Sequence, residues 1–260
     1  MPVMGMRNHR IFAPVLATAL LLSACSAGPI ASPSASQPTA TLPAPSLAPS
    51  EPGCPYPDGA LCGGPLAAGG PYKTRLFVPV FSLQVGEGWD NTVDNPNEYQ
   101  IMRSGPDGQP SQTGIYIFRD VAIQAATCED KPEPGIGGTP ADMAAYLSNH
   151  IGLTTTEPEA VNVGGLDGVM IEVALAPTWT EPCHYSEGQP NVPLFWGADA
   201  ESGLEWSMGP GWQDRFYILA MPGGGNVLID MGAFGEGDFD AFREAAVPVV
   251  QSITFDPEYY

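Results

Sequence analysis

Residues 139–173, TPADMAAYLSNHIGLTTTEPEAVNVGGLDGVMIEV, carry a helix signal, a glycine turn and an alternating strand in direct succession. Thr139 offers an N-cap hydroxyl, and Pro140 has a fixed φ that suits the first helical position. Met143, Tyr146, Leu147 and His150 then recur on one helical face, and Gly152 stops the run. The stretch Val-Gly-Gly-Leu-Asp-Gly (163–168) predicts a reversal. Val169, Ile171, Val173 and Leu175 alternate with Met170, Glu172 and Ala174, as a half-buried strand should. His150 stands near a helix C-terminus, where the dipole favours its protonated form, and packing or capping is its expected role.

Outward from this stretch, strand signals dominate. They fall at 76–85, 99–103, 114–118, 120–126, 159–163, 166–175, 194–198, 204–208, 215–221 and 226–234. Phe216 to Met221 and Val227 to Met231 flank Pro-Gly-Gly-Gly-Asn and read as a hairpin. Asp238 predicts the cap of a second helix, with Phe239, Phe242, Ala246, Val249 and Val250 in one stripe. Pro248 should kink or end that helix early, because proline removes a hydrogen bond and clashes with the preceding turn. Ser252 to Phe255 read as a closing strand. The 207 residues of 54–260 suit one globular domain.

The stretches FSLQVGEGWDN (81–91), 139–173 and FDAFREAAVPVVQSITF (239–255) resemble the Mog1/PsbP-like α/β sandwich of envelope lipoproteins. The resemblance implies a domain of the α+β class, an antiparallel sheet flanked by helices, and a binding or assembly-accessory role. It transfers no functional residue set to this chain.

The N-terminus reads as a lipoprotein signal peptide, residues 1–24. Arg7 and Arg10 precede a 14-residue apolar run (11–24) that is too short to span a bilayer, which needs roughly 20 residues. Leu22-Ser23-Ala24-Cys25 resembles a bacterial lipobox at all four positions, so Cys25 is the expected site of diacylglyceryl attachment and of N-terminal acylation such as palmitate. Ordinary secretion with cleavage after Ala27 is the alternative. Two or more acyl chains, at about 0.8 kcal/mol per buried methylene, hold a protein stably at a membrane. Residues 25–53 follow as a Pro/Ser/Ala stalk, expected to be a disordered region because it has too little apolar surface to offset its ordering entropy. It would reach about 85 Å if polyproline-like and roughly 30 Å as a flexible coil.

Loss of Arg7 and Arg10 leaves 7 basic and 29 acidic residues, a formal charge of −22. Such an acidic chain disfavours nucleic acid and anionic headgroups as partners. Of five cysteines, Cys25 is assigned to lipid, leaving Cys54, Cys62, Cys128 and Cys183. Three pairings exist; Cys54–Cys62 across a Pro/Gly turn and Cys128–Cys183 between two strand-like runs are preferred. Zinc is the rival reading, since His184 follows Cys183, but no CxxC pair is present and an exported chain favours disulfides. No metal or cofactor is expected.

The chemistry-bearing motifs are few. HExxH, P-loop, GxGxxG and GxSxG patterns are missing. Asp90 to Glu98 (DNTVDNPNE) is rich in oxygen ligands but lacks the central glycine and distant acid of an EF-hand, so a turn built on Asx side chains is expected. Glu181 with Glu187, or Asp199 with Glu201, are carboxylate pairs of the kind a glycosidase uses, though sequence proximity says little about the separation required. Trp179, Trp196, Trp206 and Trp212 crowd into 34 residues. Core and cross-strand packing is their default account, and a ligand surface is the positive lead. The leading expectation is therefore a lipid-anchored, extracytoplasmic, non-catalytic binding or accessory module, held to the cell membrane and meeting an envelope protein or glycan. The alternative is a surface hydrolase acting on envelope glycans or peptides.

Overall fold

The computed structural model describes residues 64–105, 110–197, 204–235 and 238–259, all belonging to one compact unit. The signal, Cys25, the stalk, Cys54, Cys62 and the Asp199/Glu201 pair lie outside the described residues. In chain order the strands are β1 (Gly64–Leu66), β2 (Gly69–Lys73), β3 (Phe81–Val85), β4 (Trp89–Asp94), β5 (Glu98–Ser104), β6 (Pro110–Arg119) and β7 (Val121–Ile123). Helix α1 (Pro140–Asn149) precedes β8 (Leu153–Thr155), β9 (Glu159–Val163), β10 (Leu166–Leu175), β11 (Val192–Gly197), β12 (Glu205–Met208), β13 (Gln213–Ala220) and β14 (Asn226–Ala233). Helix α2 (Phe239–Gln251) and β15 (Thr254–Phe255) complete the unit, with a final 3-10 turn at Pro257–Tyr259.

The central sheet is antiparallel, ordered β1-β4-β5-β6-β14-β13-β10-β8, with β9 also pairing β10. Its two faces carry separate apolar cores. One core joins the sheet to α2 and to a small sheet ordered β15-β3-β2. The other joins it to α1 and a small sheet ordered β12-β11-β7. The strand period of two sorts the side chains: on β14, Val227, Ile229 and Met231 face α2, whereas Leu228 faces α1. All eight residues of β14 are buried, as expected of a strand covered on both sides. The architecture is α+β and sheet-dominated, with one helix on each face.

Local chemistry explains the elements. Thr139 Oγ1 accepts from the Asp142 backbone N–H at 3.2 Å, and Asp238 Oδ1 accepts from that of Ala241 at 3.0 Å, so both N-caps form as the sequence indicates. The β9–β10 reversal uses Gly164 at φ +62° and Gly165 at φ +95°, a pair of left-handed positions that favours glycine. Within β10, a Cβ on Gly168 would stand 2.1 Å from the Ile218 carbonyl oxygen, so β13 can approach only a glycine there.

Three expectations are corrected. Pro248 does not end α2, which continues to Gln251. It sits in the last turn, where Val249 and Val250 are buried and Ser252 N–H closes on the Pro248 and Val249 carbonyls. Asp90 to Asp94 form most of β4 rather than a loop, because Asn91 Nδ2 donates to the Gln100 and Val93 carbonyls and needs no water. The Asx turn is confined to Asn95, whose Oδ1 accepts from Asn97 and Glu98 N–H. The 76–85 strand shortens to β3, since Asp94 takes the Arg75, Leu76 and Phe77 N–H groups into a turn instead.

Candidate functional site: an acid pair under an aromatic cluster

The α1-facing core contains two aspartates that the sequence reading did not single out. Asp214, second residue of β13, lies opposite Gly232; Asp230 on β14 lies opposite Phe216 and, on its other side, Tyr116 of β6. Both acids therefore point to the same face, as diagonal neighbours on adjacent strands. Each is 0% exposed, and among the described residues none of their four carboxylate oxygens is met at full hydrogen-bonding geometry. Burial pushes both carboxyls well above the usual range, and the charge of Asp214 raises Asp230 further. Burial likewise raises the Tyr116 phenol, and the charges of Asp230, Asp214 and Glu98 add to that rise.

Aromatic rings close over the pair. Tyr116 meets Trp206 at 4.9 Å between centroids and Phe234 at 5.6 Å; Trp212 meets Phe234 at 4.8 Å. Trp206 Nε1–H lies beside Asp230, off ideal hydrogen-bonding geometry yet close enough to pull that carboxyl down against the larger upward push of burial. Gly114 and Gly232 are in register beneath the rings, and a Cβ on Gly232 would fall 2.9 Å from Asp214 Oδ1. Trp212 and Phe234 are half-buried and form the outer edge of the cluster.

The four tryptophans do not line one groove. Trp206 and Trp212 converge here. Trp179 stands apart, its Nε1–H donating to the Asn191 carbonyl at 3.0 Å and its ring meeting His150 at 5.6 Å. Trp196 is half-buried on β11, away from the Trp206–Trp212 cluster. His150 caps α1, and its Nδ1 accepts the Gly152 N–H at 3.1 Å, which requires a free lone pair. Burial lowers its pKa against a smaller upward pull from Glu133, and the capping role expected of it is the one it takes. A shallow groove of about 580 Å³ beside α1 runs past Tyr146, His150 and the exposed Ile151.

Cys128 and Cys183 form a disulfide that ties the segment after β7 to the segment before β11. His184 stacks edge-on against Tyr185 at 5.0 Å. Among the described residues, no group of three or more His, Cys, Asp or Glu side chains has metal-binding geometry, and no helix is long and apolar enough to cross a membrane.

No family model matches the chain, and no curated protein matches it. Among solved structures, it is similar to LpqN, involved in cell envelope biogenesis of Mycobacterium tuberculosis, at 12% identity and a TM-score of 0.36, over 77% of this chain and 94% of that one. It is also similar to cyanobacterial PsbP of Synechocystis sp. PCC 6803, at 11% identity and a TM-score of 0.35, over 75% of this chain and 97% of that one. Likeness at this level fixes neither fold nor function.

Proposed function

We propose that this protein is a lipid-anchored, extracytoplasmic, non-catalytic module of the cell envelope that binds a partner through the aromatic end of its α1 face. The observation that carries the reading is the half-buried Trp212–Phe234 edge, backed by Trp206 and Tyr116. Such a surface offers flat apolar area and ring faces to a glycan or a peptide. The lipobox at Leu22 to Cys25, the proline-rich stalk and the charge of −22 support presentation of this surface away from an anionic membrane. The alternative, a surface hydrolase of envelope glycans or peptides, would need a carboxyl pair open to its polymer. Asp214 and Asp230, the carboxyls beneath the tryptophan cluster, are 0% exposed, which favours binding over hydrolysis.

The test is in-cell photocrosslinking of the full-length protein with a benzophenone side chain at position 212. A discrete envelope glycan or protein adduct that disappears with Phe234→Ala supports the reading. Self-adducts alone overturn it, as does turnover of an envelope polymer by the purified full chain.

A further inference from the structure

We propose that Asp214 and Asp230 together bind one hard divalent cation, of the calcium or magnesium kind, inside the α1-facing core. This proposal is separate from the ligand surface, since it concerns the floor beneath the rings rather than their outer edge.

The argument begins with charge. The groups facing the pair are Tyr116 and Glu98 from β6 and β5 and Trp206 from β12, together with the two acids themselves. None is a cation. The nearest arginine in sequence, Arg215, points to the opposite face, where it binds Glu172. Neither aspartate joins any ion pair among the described residues. Burying one carboxylate without compensation costs several kcal/mol, and here two lie side by side. Neutralisation falls either to protons held on the carboxyls or to a cation from outside the chain.

Geometry narrows its chemistry. A shared proton would neutralise one acid yet leave most of the four oxygens without partners. A cation between the carboxylates engages oxygens of both. Diagonal positions on adjacent strands put the backbones roughly 7–8 Å apart, a span two aspartate side chains can bridge to a common ion. All the donors are hard oxygens, which select calcium or magnesium over softer metals. An organic ammonium is disfavoured, because the covering rings touch one another at 4.8–5.7 Å and leave no open cage. Trp206 Nε1–H, buried beside Asp230, supplies the donor that orients a ligating carboxylate. The missing side chain at Gly232 keeps Asp214 Oδ1 clear on the same floor. With only two acidic ligands, affinity should lie in the weak range of extracellular calcium modules, a Kd of about 10⁻⁴–10⁻³ M.

The experiment uses the full chain in detergent, stripped with chelator and titrated with calcium chloride or magnesium chloride against potassium chloride at matched ionic strength. The expected result is a saturable one-to-one response in tryptophan emission and a rise of several degrees in Tm. Asp230→Asn and Asp214→Asn should each abolish it, while the surface variant Asp240→Asn keeps it. A response that does not saturate, or that survives in either core variant, overturns the proposal as surface screening. Core variants that melt higher than the parent, with no cation response in the parent, also overturn it and assign the pair to a held proton.

Discussion

The two faces of the central sheet treat charge in opposite ways. On the α2 side, Arg215 Nε donates to Glu172 Oε1 at 2.9 Å and Arg243 Nη1 reaches the same oxygen at 3.2 Å; Arg243 also holds Asp240 at 2.8 Å. That cluster is partly open to water and internally balanced. On the α1 side, two acids are sealed with no counter-charge. Asp214 and Arg215 are chain neighbours, so the strand period of two alone sends the acid to one face and the base to the other. The imbalance arises from direction, in a place where a cation lay one residue away. A balanced cluster fits a supporting layer, and an unbalanced one marks the layer where function is to be sought.

Four experiments break or sharpen that contrast, from the largest effect down. Replacing both Cys128 and Cys183 by serine frees a loop of 55 residues and should cost about 4 kcal/mol in urea unfolding. Hydrogen exchange should quicken around β7 and β11 and stay unchanged at β3 and β15; equal quickening on both faces would erase the distinction. Leu228→Ala and Ile229→Ala, neighbours that enter opposite cores, should each cost about 3 kcal/mol. A single unfolding transition in both variants would show the layers melt together, and a split transition in one would show which layer is independent.

Arg215→Ala leaves Glu172 with Arg243 alone and should cost about 2 kcal/mol, less than a sealed pair because water reaches the cluster. The double variant Arg215→Ala/Glu172→Gln should recover part of that loss in thermal denaturation. The smallest effect concerns pH. Asp214 and Asp230 have raised carboxyl pKa values in the fold, so the cation-free folded chain holds more protons than the unfolded one. Their contribution is intact below the ordinary carboxylate value of about 4 and is lost as pH climbs toward the raised values. Tm measured from pH 4 to 8 in chelator should fall more steeply for the parent than for Asp230→Asn; parallel curves would refute the assignment.

The parts legible in the sequence were those fixed by neighbours. Thr139 with Asp142, Asp238 with Ala241, and the alternation through β10 are all settled within a few residues. β4 was hidden because Asp90, Asn91 and Asp94 read as polar loop, although their partners are Ser104, Gln100 and the 75–77 backbone across the fold. β2 was hidden by Gly69-Gly70-Pro71, which reads as a turn. The acid pair left a faint trace. In VLIDMGA an acid interrupts an apolar run, and a run buried on both faces offers that acid no wet side. Asp214, at the head of a strand beside Gln213 and Arg215, gave no such signal. Which tryptophans meet was likewise set by strand order and not by spacing.

Strand β15 pairs with β3, joining Thr254 and Phe255 to Ser82 and Phe81, while the Phe255 N–H reaches back to the Gly164 carbonyl. Residues 254 and 255 thus complete a layer begun some 170 positions earlier. Without residues 254 and 255, β3 pairs with β2 alone and Phe81 loses its edge contact with Phe255. Closing that layer is a long-range step, a clasp between segments that local folding cannot bring together by itself.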